Sequence, residues 1–422
     1  MQKSIFLVDM NAYFISCEMT RNPALRGIPA AVAGDPDKRT GIILAANYEA
    51  RALGVRTAMT LHEALKRCPD LTLVPPDHHF YAEKSREVMA ILDQFSPIVE
   101  QNSIDEAWLD MTGCEGLFGP PQVAAQKIMQ AIDDQLGLWC SIGISDNKFL
   151  AKMASEMKKP QGITELRQAD VPRLLWPQPV RAMYGIGGKT AEKLERLGVR
   201  TIGELARLDH QFLVQAFGKA GDEMHRHANG IDDAPVQTRR YDEAKSIGRS
   251  TTLPEDVSDL VKAKLVILEL ASEVGRRARR AGSKGQTVQI TLKYTDFRVV
   301  TRQMTIEPTW LTDIIYQAGC TLLEQNWDAA RPVRLLGISL SGFGREDQPR
   351  QLSMFDQPTT SDQTTTTARS TSNQTTVNPR STALKREQLD KAMDDICAKH
   401  GAGKITRAAL IRDDSSHKPK QD

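Results

Sequence analysis

Three acidic residues stand where carboxylates are costly. Asp9 closes the apolar run Ile5–Val8, and Asp105 and Glu106 sit side by side in "PIVEQNSIDEAWLD", residues 97–110. The other residues of that stretch, among them Ile98, Val99, Ile104, Trp108 and Leu109, read as one buried strand. Burying an unpaired carboxylate costs roughly several kcal/mol, so a fold that keeps one supplies a cation or a proton. A solvated turn accounts more plainly for the Asp-Glu pair, and an N-cap on the following helix for Asp9. If sheet pairing joins the three, the chemistry is different. Hard oxygen donors hold magnesium, which relieves their repulsion and clamps the attacking and leaving oxygens of a phosphoryl transfer. Adjacent side chains on a strand face opposite ways. Asp105 and Glu106 should therefore not chelate one ion as a simple pair unless the backbone turns there.

The elements that must position these residues follow from periodicity. Ile5–Val8 is a short strand, followed by "NAYFISCEM" with helical spacing at Tyr13, Phe14 and Cys17. "GIILAANYEARALGV" is a strand feeding a helix, and "TLHEALKRCPDL" a second helix stopped by Pro69. After the extended "LTLVPPD" come helices over 80–95 and 120–136, the strand "LWCSIGIS" and the helix "NKFLAKMASEM". The run holds no GxGxxG or GxxxxGK[ST] loop, which disfavours Rossmann and P-loop folds and fits an α+β sheet layered with helices.

From about residue 168 short helices and tight turns take over. "GIGGKTAEKL" has the helix-hairpin-helix pattern, in which Gly185 and Gly187 turn the backbone and expose N–H groups beside Lys189, where a phosphate can dock. A helical turn with glycine caps is the alternative. Residues 244–345 alternate strands and helices as a further α+β domain. Beyond Asp356 the composition turns to Thr, Ser, Gln, Asn and Pro until about 383, which reads as a flexible linker. "LKREQLDKAMDDICAKHG" then has helical periodicity, with no role that the sequence supplies.

With 422 residues the chain has room for roughly two to four domains. It is 40% hydrophobic and 26% charged, and no apolar run approaches the roughly 18 residues of a membrane span. The N-terminal apolar run breaks at Asp9, too early for a signal-peptide core, so a cytoplasmic chain is expected. Six cysteines without a CxxC pair point to reduced thiols rather than zinc or disulfides. Net charge is only +2, but between Arg276 and Arg302 eight basic residues accompany a single acid, Asp296. That is either a solvated basic face or a footprint for a phosphate backbone.

Seven segments, "VDMNAYFISCE", "AANYEAR", "SIDEAWLDMTG", "SIGISDNKFLAKMASEMKKPQGI", "GIGGKTAEKLERLG", "SIGRSTTL" and "QLSMFD", occur in the order and near the spacing found in Y-family translesion DNA polymerases. The resemblance covers residues 1 to about 356. It implies an α+β right-hand fold: palm over 1–18 and 77–167, fingers over 19–76 and a helix-hairpin-helix thumb over 168–233. A linker over 234–243 and a little finger over 244–345 would follow, then a clamp-binding peptide over 346–356, a linker over 357–383 and a C-terminal helix over 384–412.

The activity so implied is DNA-directed DNA synthesis of low fidelity, without proofreading, by a monomer using two Mg2+ ions, primer-template DNA and deoxynucleoside triphosphates. Asp9, Asp105 and Glu106 match the catalytic, metal-binding carboxylates, with the Met10 carbonyl as a further ligand and Glu106 serving the ion nearest the primer end. Phe14 matches the steric gate against a ribose 2′-hydroxyl. Tyr48, Arg51 and Lys159 match residues that hold the triphosphate, and Ser103 a supporting serine. Lys245, Arg249 and Arg298 would lie along DNA, and Gln351, Leu352, Met354 and Phe355 would dock into a sliding clamp. Two positions depart from the pattern. Ala45 replaces a frequent hydroxyl residue, which shifts the phosphate grip onto Tyr48, Arg51 and Lys159, and Asn11 replaces a frequent acid. The resemblance leaves open a polymerase subunit that needs accessory proteins, or an idle DNA-binding scaffold.

Overall fold

The computed structural model describes residues 3–35, 41–238, 244–344 and 379–401, with 405 and 407–410. The chain divides into two compact units, Met1–Tyr241 and Asp242–Asp422.

The first unit begins with β1 (Ile5–Met10), α1 (Tyr13–Arg21), β2 (Ala30–Ala33), β3 (Ile43–Ala46) and α2 (Tyr48–Ala52). It continues through α3 (Leu61–Arg67), β4 (Thr72–Val74), α4 (His78–Leu92), β5 (Val99–Gln101) and β6 (Glu106–Asp110). Then come α5 (Glu115–Phe118), α6 (Pro121–Leu136), β7 (Cys140–Ser145), α7 (Lys148–Met157) and β8 (Ile163–Glu165). Four short helices complete it: α8 (Gly188–Arg196), α9 (Ile202–Arg207), α10 (His210–Phe217) and α11 (Lys219–Ala228).

One sheet has the order β5-β6-β1-β7-β8, and β1 runs antiparallel to both of its neighbours. Phe6 and Val8 face a core shared with Ile15, Ile128 and Leu92, while Ile5 and Leu7 pack on the other side with Trp108 and Ala151 of α7. By alternation Asp9 lies on that second face, under α7. Asn147 caps α7 by accepting from the Leu150 N–H at 2.8 Å. Gly143 of β7 sets how closely the helix sits, because a Cβ there would come within 2.0 Å of the Ala151 carbonyl oxygen and 2.5 Å of the Ser155 nitrogen. A second, three-stranded sheet has the order β3-β2-β4.

Three expectations for this unit change. The single strand expected over 97–110 is two strands, β5 and β6, joined by a turn that holds Asp105. The Asn102 N–H donates to the Glu106 carbonyl at 2.9 Å, and Ser103 Oγ donates to the Asp105 carboxylate at 2.5 Å, so the polar residues close a hairpin instead of continuing the ladder. Asp9 caps no helix, since the N-cap of α1 is Ala12. The stretch expected as a linker begins packed against the first sheet: Val236 is buried with Leu7 and Trp108, and the Gln237 N–H donates to Glu100 Oε2 at 2.9 Å.

The second unit comprises β9 (Ser246–Val257), α12 (Leu260–Arg280), β10 (Gly285–Tyr294), β11 (Val299–Thr309), α13 (Thr312–Asn326), β12 (Val333–Phe343) and α14 (Pro379–His400). Its antiparallel sheet has the order β11-β10-β12-β9, and Val288, Ile290, Leu292, Leu336, Ile338 and Leu340 pack against α12 and α13. The helix expected over 384–412 instead ends at His400. Gly401 follows in the left-handed region at φ 91°, a conformation that ends helices.

Candidate active site

Sheet register creates the site. Asp9 of β1 is paired directly with Glu106 of β6, and the Met10 N–H donates to the Asp105 carbonyl at 2.9 Å, so residues almost a hundred apart meet at one strand end. Asp9 is buried, while Asp105 and Glu106 are half-buried. All three line a cleft of about 260 Å³ with Met10, Phe14, Tyr48, Arg51 and Lys159. Every residue that the resemblance assigns to metal or nucleotide is thus brought to one place.

Two residues that sequence reasoning passed over join the carboxylates from α7. Lys152 Nζ donates to Asp9 Oδ2 at 3.0 Å, to Glu106 Oε1 and to Glu156 Oε1 at 2.9 Å. Lys159 Nζ lies 2.9 Å from both Asp9 Oδ1 and Glu156 Oε1. Asp9, Glu106 and Glu156 offer oxygens within 4.8 Å of one another, a spacing suited to a metal ion. In "NKFLAKMASEM" Lys152 and Glu156 are four apart and share a helix face, which ties them to each other but not to the acids.

Burial raises the Asp9 carboxyl above its usual range and a hydrogen bond with Glu106 adds to this, while the Lys152 and Lys159 charges pull the other way. Asp105 is likewise raised by burial, with the Ser103 hydrogen bond opposing and the Asp9 charge reinforcing. Burial disfavours the Lys152 ammonium, yet Asp9 and Glu106 hold its pKa above that of an ordinary lysine. The cluster therefore has a stored demand for positive charge. Its oxygens, together with the Met10 carbonyl, make the hard donor set that divalent magnesium takes.

Across the cleft, Phe14 stacks on Tyr81 with ring centroids 4.5 Å apart. Tyr81 is held in turn: its hydroxyl donates to Glu18 Oε1 at 2.6 Å, and Glu18 is buried and clasped by Arg21. Arg51 Nε donates to the Ala46 carbonyl at 2.8 Å, and the guanidinium lies over the Tyr48 ring, 5.1 Å from its centroid. Among the described residues the buried Tyr48 hydroxyl has no hydrogen-bond partner, so it is a donor that a phosphate oxygen can meet. Ala45 also lines the cleft. Asn11 is buried and structural, because its Oδ1 accepts from the Gln161 N–H at 2.8 Å and so holds the turn that follows Lys159.

The remaining candidates lie elsewhere. Gly185 has φ 89°, Gly187 precedes α8 as its N-cap, and Lys189 is exposed in the first turn. Lys245 and Arg298 are exposed in the second unit. Arg249 pairs in register with Ile338 and so belongs to the helix-covered side of the sheet, where it lines a cavity of about 370 Å³ with Arg276, Met393 and Asp394. Gln351, Leu352, Met354 and Phe355 lie outside the described residues.

Comparison with known proteins agrees with this layout. Residues 8–156 match the impB/mucB/samB family, residues 244–354 its C-terminal domain and residues 169–199 the IMS family HHH motif. A solved Y-family DNA polymerase chimera superposes with a TM-score of 0.71 over 81% of this chain and 99% of its own, at 24% identity. That gives the fold: palm, fingers, helix-hairpin-helix thumb and little finger. DNA polymerase IV of Alkaliphilus oremlandii is 53% identical across 97% of this chain and 100% of its own length. Clostridium kluyveri DNA polymerase IV is 51% identical across 98% and 99%, and Bacillus subtilis DNA polymerase IV 1 is 42% identical across 98% and 94%. The chain belongs to the Y-family DNA polymerases of the DNA polymerase IV type.

Proposed function

We propose that this DNA-directed DNA polymerase performs low-fidelity translesion synthesis by two-metal nucleotidyl transfer and does not proofread. The observation that carries the reading is the register pairing of Asp9 with Glu106 at the mouth of a cleft whose other walls are Phe14, Tyr48, Arg51 and Lys159. Asp9, Asp105, Glu106 and the Met10 carbonyl would hold the two Mg2+ ions. When bound, such ions acidify the primer 3′-hydroxyl and neutralise the departing pyrophosphate. The protein's own residues do the rest. Tyr48, Arg51 and Lys159 hold the triphosphate through a phenol donor, a guanidinium fork and an ammonium, positioning its α-phosphate for attack. The Phe14 ring, backed by Tyr81, blocks a ribose 2′-hydroxyl by overlap.

In this reading residues 1–18 and 77–167 form the palm, 19–76 the fingers, 168–233 the thumb and 244–345 the little finger. Gly185, Gly187, Lys189, Lys245 and Arg298 contact DNA backbone, whereas Arg249 faces the helix-covered side of its sheet and is taken off the DNA. Gln351, Leu352, Met354 and Phe355 bind a sliding clamp, and the enzyme works as a cytoplasmic monomer.

Primer extension with a single deoxynucleotide and Mg2+ tests this. The wild-type chain alone should extend, whereas Asp105→Ala should lose activity by at least about a thousandfold. Extension that survives Asp105→Ala overturns the site, and no extension by the wild type leaves a DNA-binding scaffold or a subunit that needs accessory proteins. Phe14→Ala should admit ribonucleotides at the same time as it retains deoxynucleotide insertion.

A further inference from the structure

We propose that α14 is a built-in partner of the second unit, locked onto α12 and α13 by Asp390. The family model for the C-terminal domain ends at residue 354, so α14 lies beyond the residues that it matches. Arg279 near the end of α12 is almost fully buried, with a side-chain exposure of 6%, and a guanidinium so placed needs a full set of acceptors. The carbonyl of Trp310 at 2.9 Å supplies one, and α14 supplies the charge. Asp394 accepts Arg279 Nε at 2.6 Å and Nη2 at 3.0 Å in a two-point fork, and Asp390 Oδ2 accepts Nη1 at 3.0 Å.

Asp390 also does something for α13. That helix starts at Thr312 with Leu311 at its N-cap, and Leu311 has no side-chain acceptor to offer. Asp390 Oδ2 accepts the Thr312 N–H at 3.0 Å, so a carboxylate from α14 caps the free end of α13 and meets its positive dipole. Arg407 closes the arrangement, donating to Asp390 Oδ1 at 2.6 Å and to Asp313 of α13 at 2.5 Å. Asp390 and Asp394 are four apart and share one face of α14, which is the face turned to the domain. Asp390 itself is 4% exposed.

The partner of this face is therefore the chain's own helix. Residues 345–378 join β12 to α14 in the sequence. If the clamp-peptide reading is right, on which only this consequence rests, that peptide lies in the sequence between two elements of one unit, β12 and α14.

The test uses the full chain with a specific protease site inserted between residues 360 and 366. After cutting, the C-terminal piece should co-elute with the body in gel filtration, and its separation overturns the proposal. In the same chain Asp390→Ala should release the piece. To separate release from unfolding of the domain, amide exchange of the uncut variant is measured alongside. The amides of α14 and of Thr312 should exchange about a hundredfold faster while β10 and β12 stay protected. Retention of the piece together with unchanged exchange overturns the role of Asp390, and loss of protection throughout the second unit overturns the separate lock. No clamp is present, so the outcome is independent of clamp binding. Failure of the intact chain to bind a clamp removes the peptide reading and leaves the lock standing.

Discussion

At the residue scale, the active site is a balance of charge in which Lys152 has a part that its position in the sequence did not suggest. Its ammonium touches Asp9, Glu106 and Glu156, and its side chain is 8% exposed. Breaking a buried ion pair by removing one partner costs about 3 kcal/mol or more, because the remaining charge has lost its neighbour without regaining water. Asp9 keeps Lys159, so Lys152→Met should lower unfolding stability in EDTA by about 3 kcal/mol at most, with Lys152→Arg closer to wild type, as read from denaturant melts. Added Mg2+ should restore part of the loss in Lys152→Met, because a divalent ion meets the same carboxylates. The three acids were legible in the sequence because charge interrupts strands. Lys152 was not, since an amphipathic helix with lysines is ordinary and its contact with Asp9 spans 143 residues.

At the scale of elements, the hairpin and α7 decide what the acids can do. Alternation along one strand would have sent Asp105 and Glu106 to opposite faces. The turn between β5 and β6 instead starts β6 at Glu106 and leaves Asp105 on the turn, so both carboxylates border the cleft. Asn102 and Ser103, polar residues within an apolar stretch, were the local sign of that turn, outweighed by the hydrophobic residues around them. Gly143 lets α7 lie against β7 closely enough for Lys152 to reach the acids. Gly143→Ala puts a methyl group into the helix backbone, so α7 must lift. We expect a loss of about 1–3 kcal/mol of stability and a larger fall in nucleotide insertion than in DNA binding, measured by thermal melting, single-turnover extension and gel shift. The C-terminal helix was foreseen, but not its end at Gly401 or its role as a cap for α13. A helix stop depends on one residue, and the capping partner comes from another part of the chain.

At the scale of the molecule, charge distribution matters more than the net +2. Exposed Lys245 and Arg298 are read as backbone contacts, and backbone contacts make binding depend on salt by releasing counterions. Replacing both with alanine should weaken primer-template binding about equally for all sequences. It should also lower the slope of log K against log salt by about 2, which titrations at several salt concentrations can check. An unchanged slope would take these two residues off the DNA.

The sequence by itself determined the chemistry on offer: three acids interrupting strands, a glycine hairpin before a helix and a basic run, with seven ordered motifs that carried the family resemblance. Local propensity and side-chain type suffice for such features, because each depends on a few neighbouring residues. Tertiary structure alone decided the register that sets Asp9 against Glu106, the approach of α7 that adds Lys152 and Glu156, and the docking of Asp390 onto Arg279. In these contacts Asp9 and Glu106 are 97 residues apart, Asp9 and Lys152 143, and Arg279 and Asp390 111. Their energy comes from burial and charge compensation across elements, which no window along the chain contains.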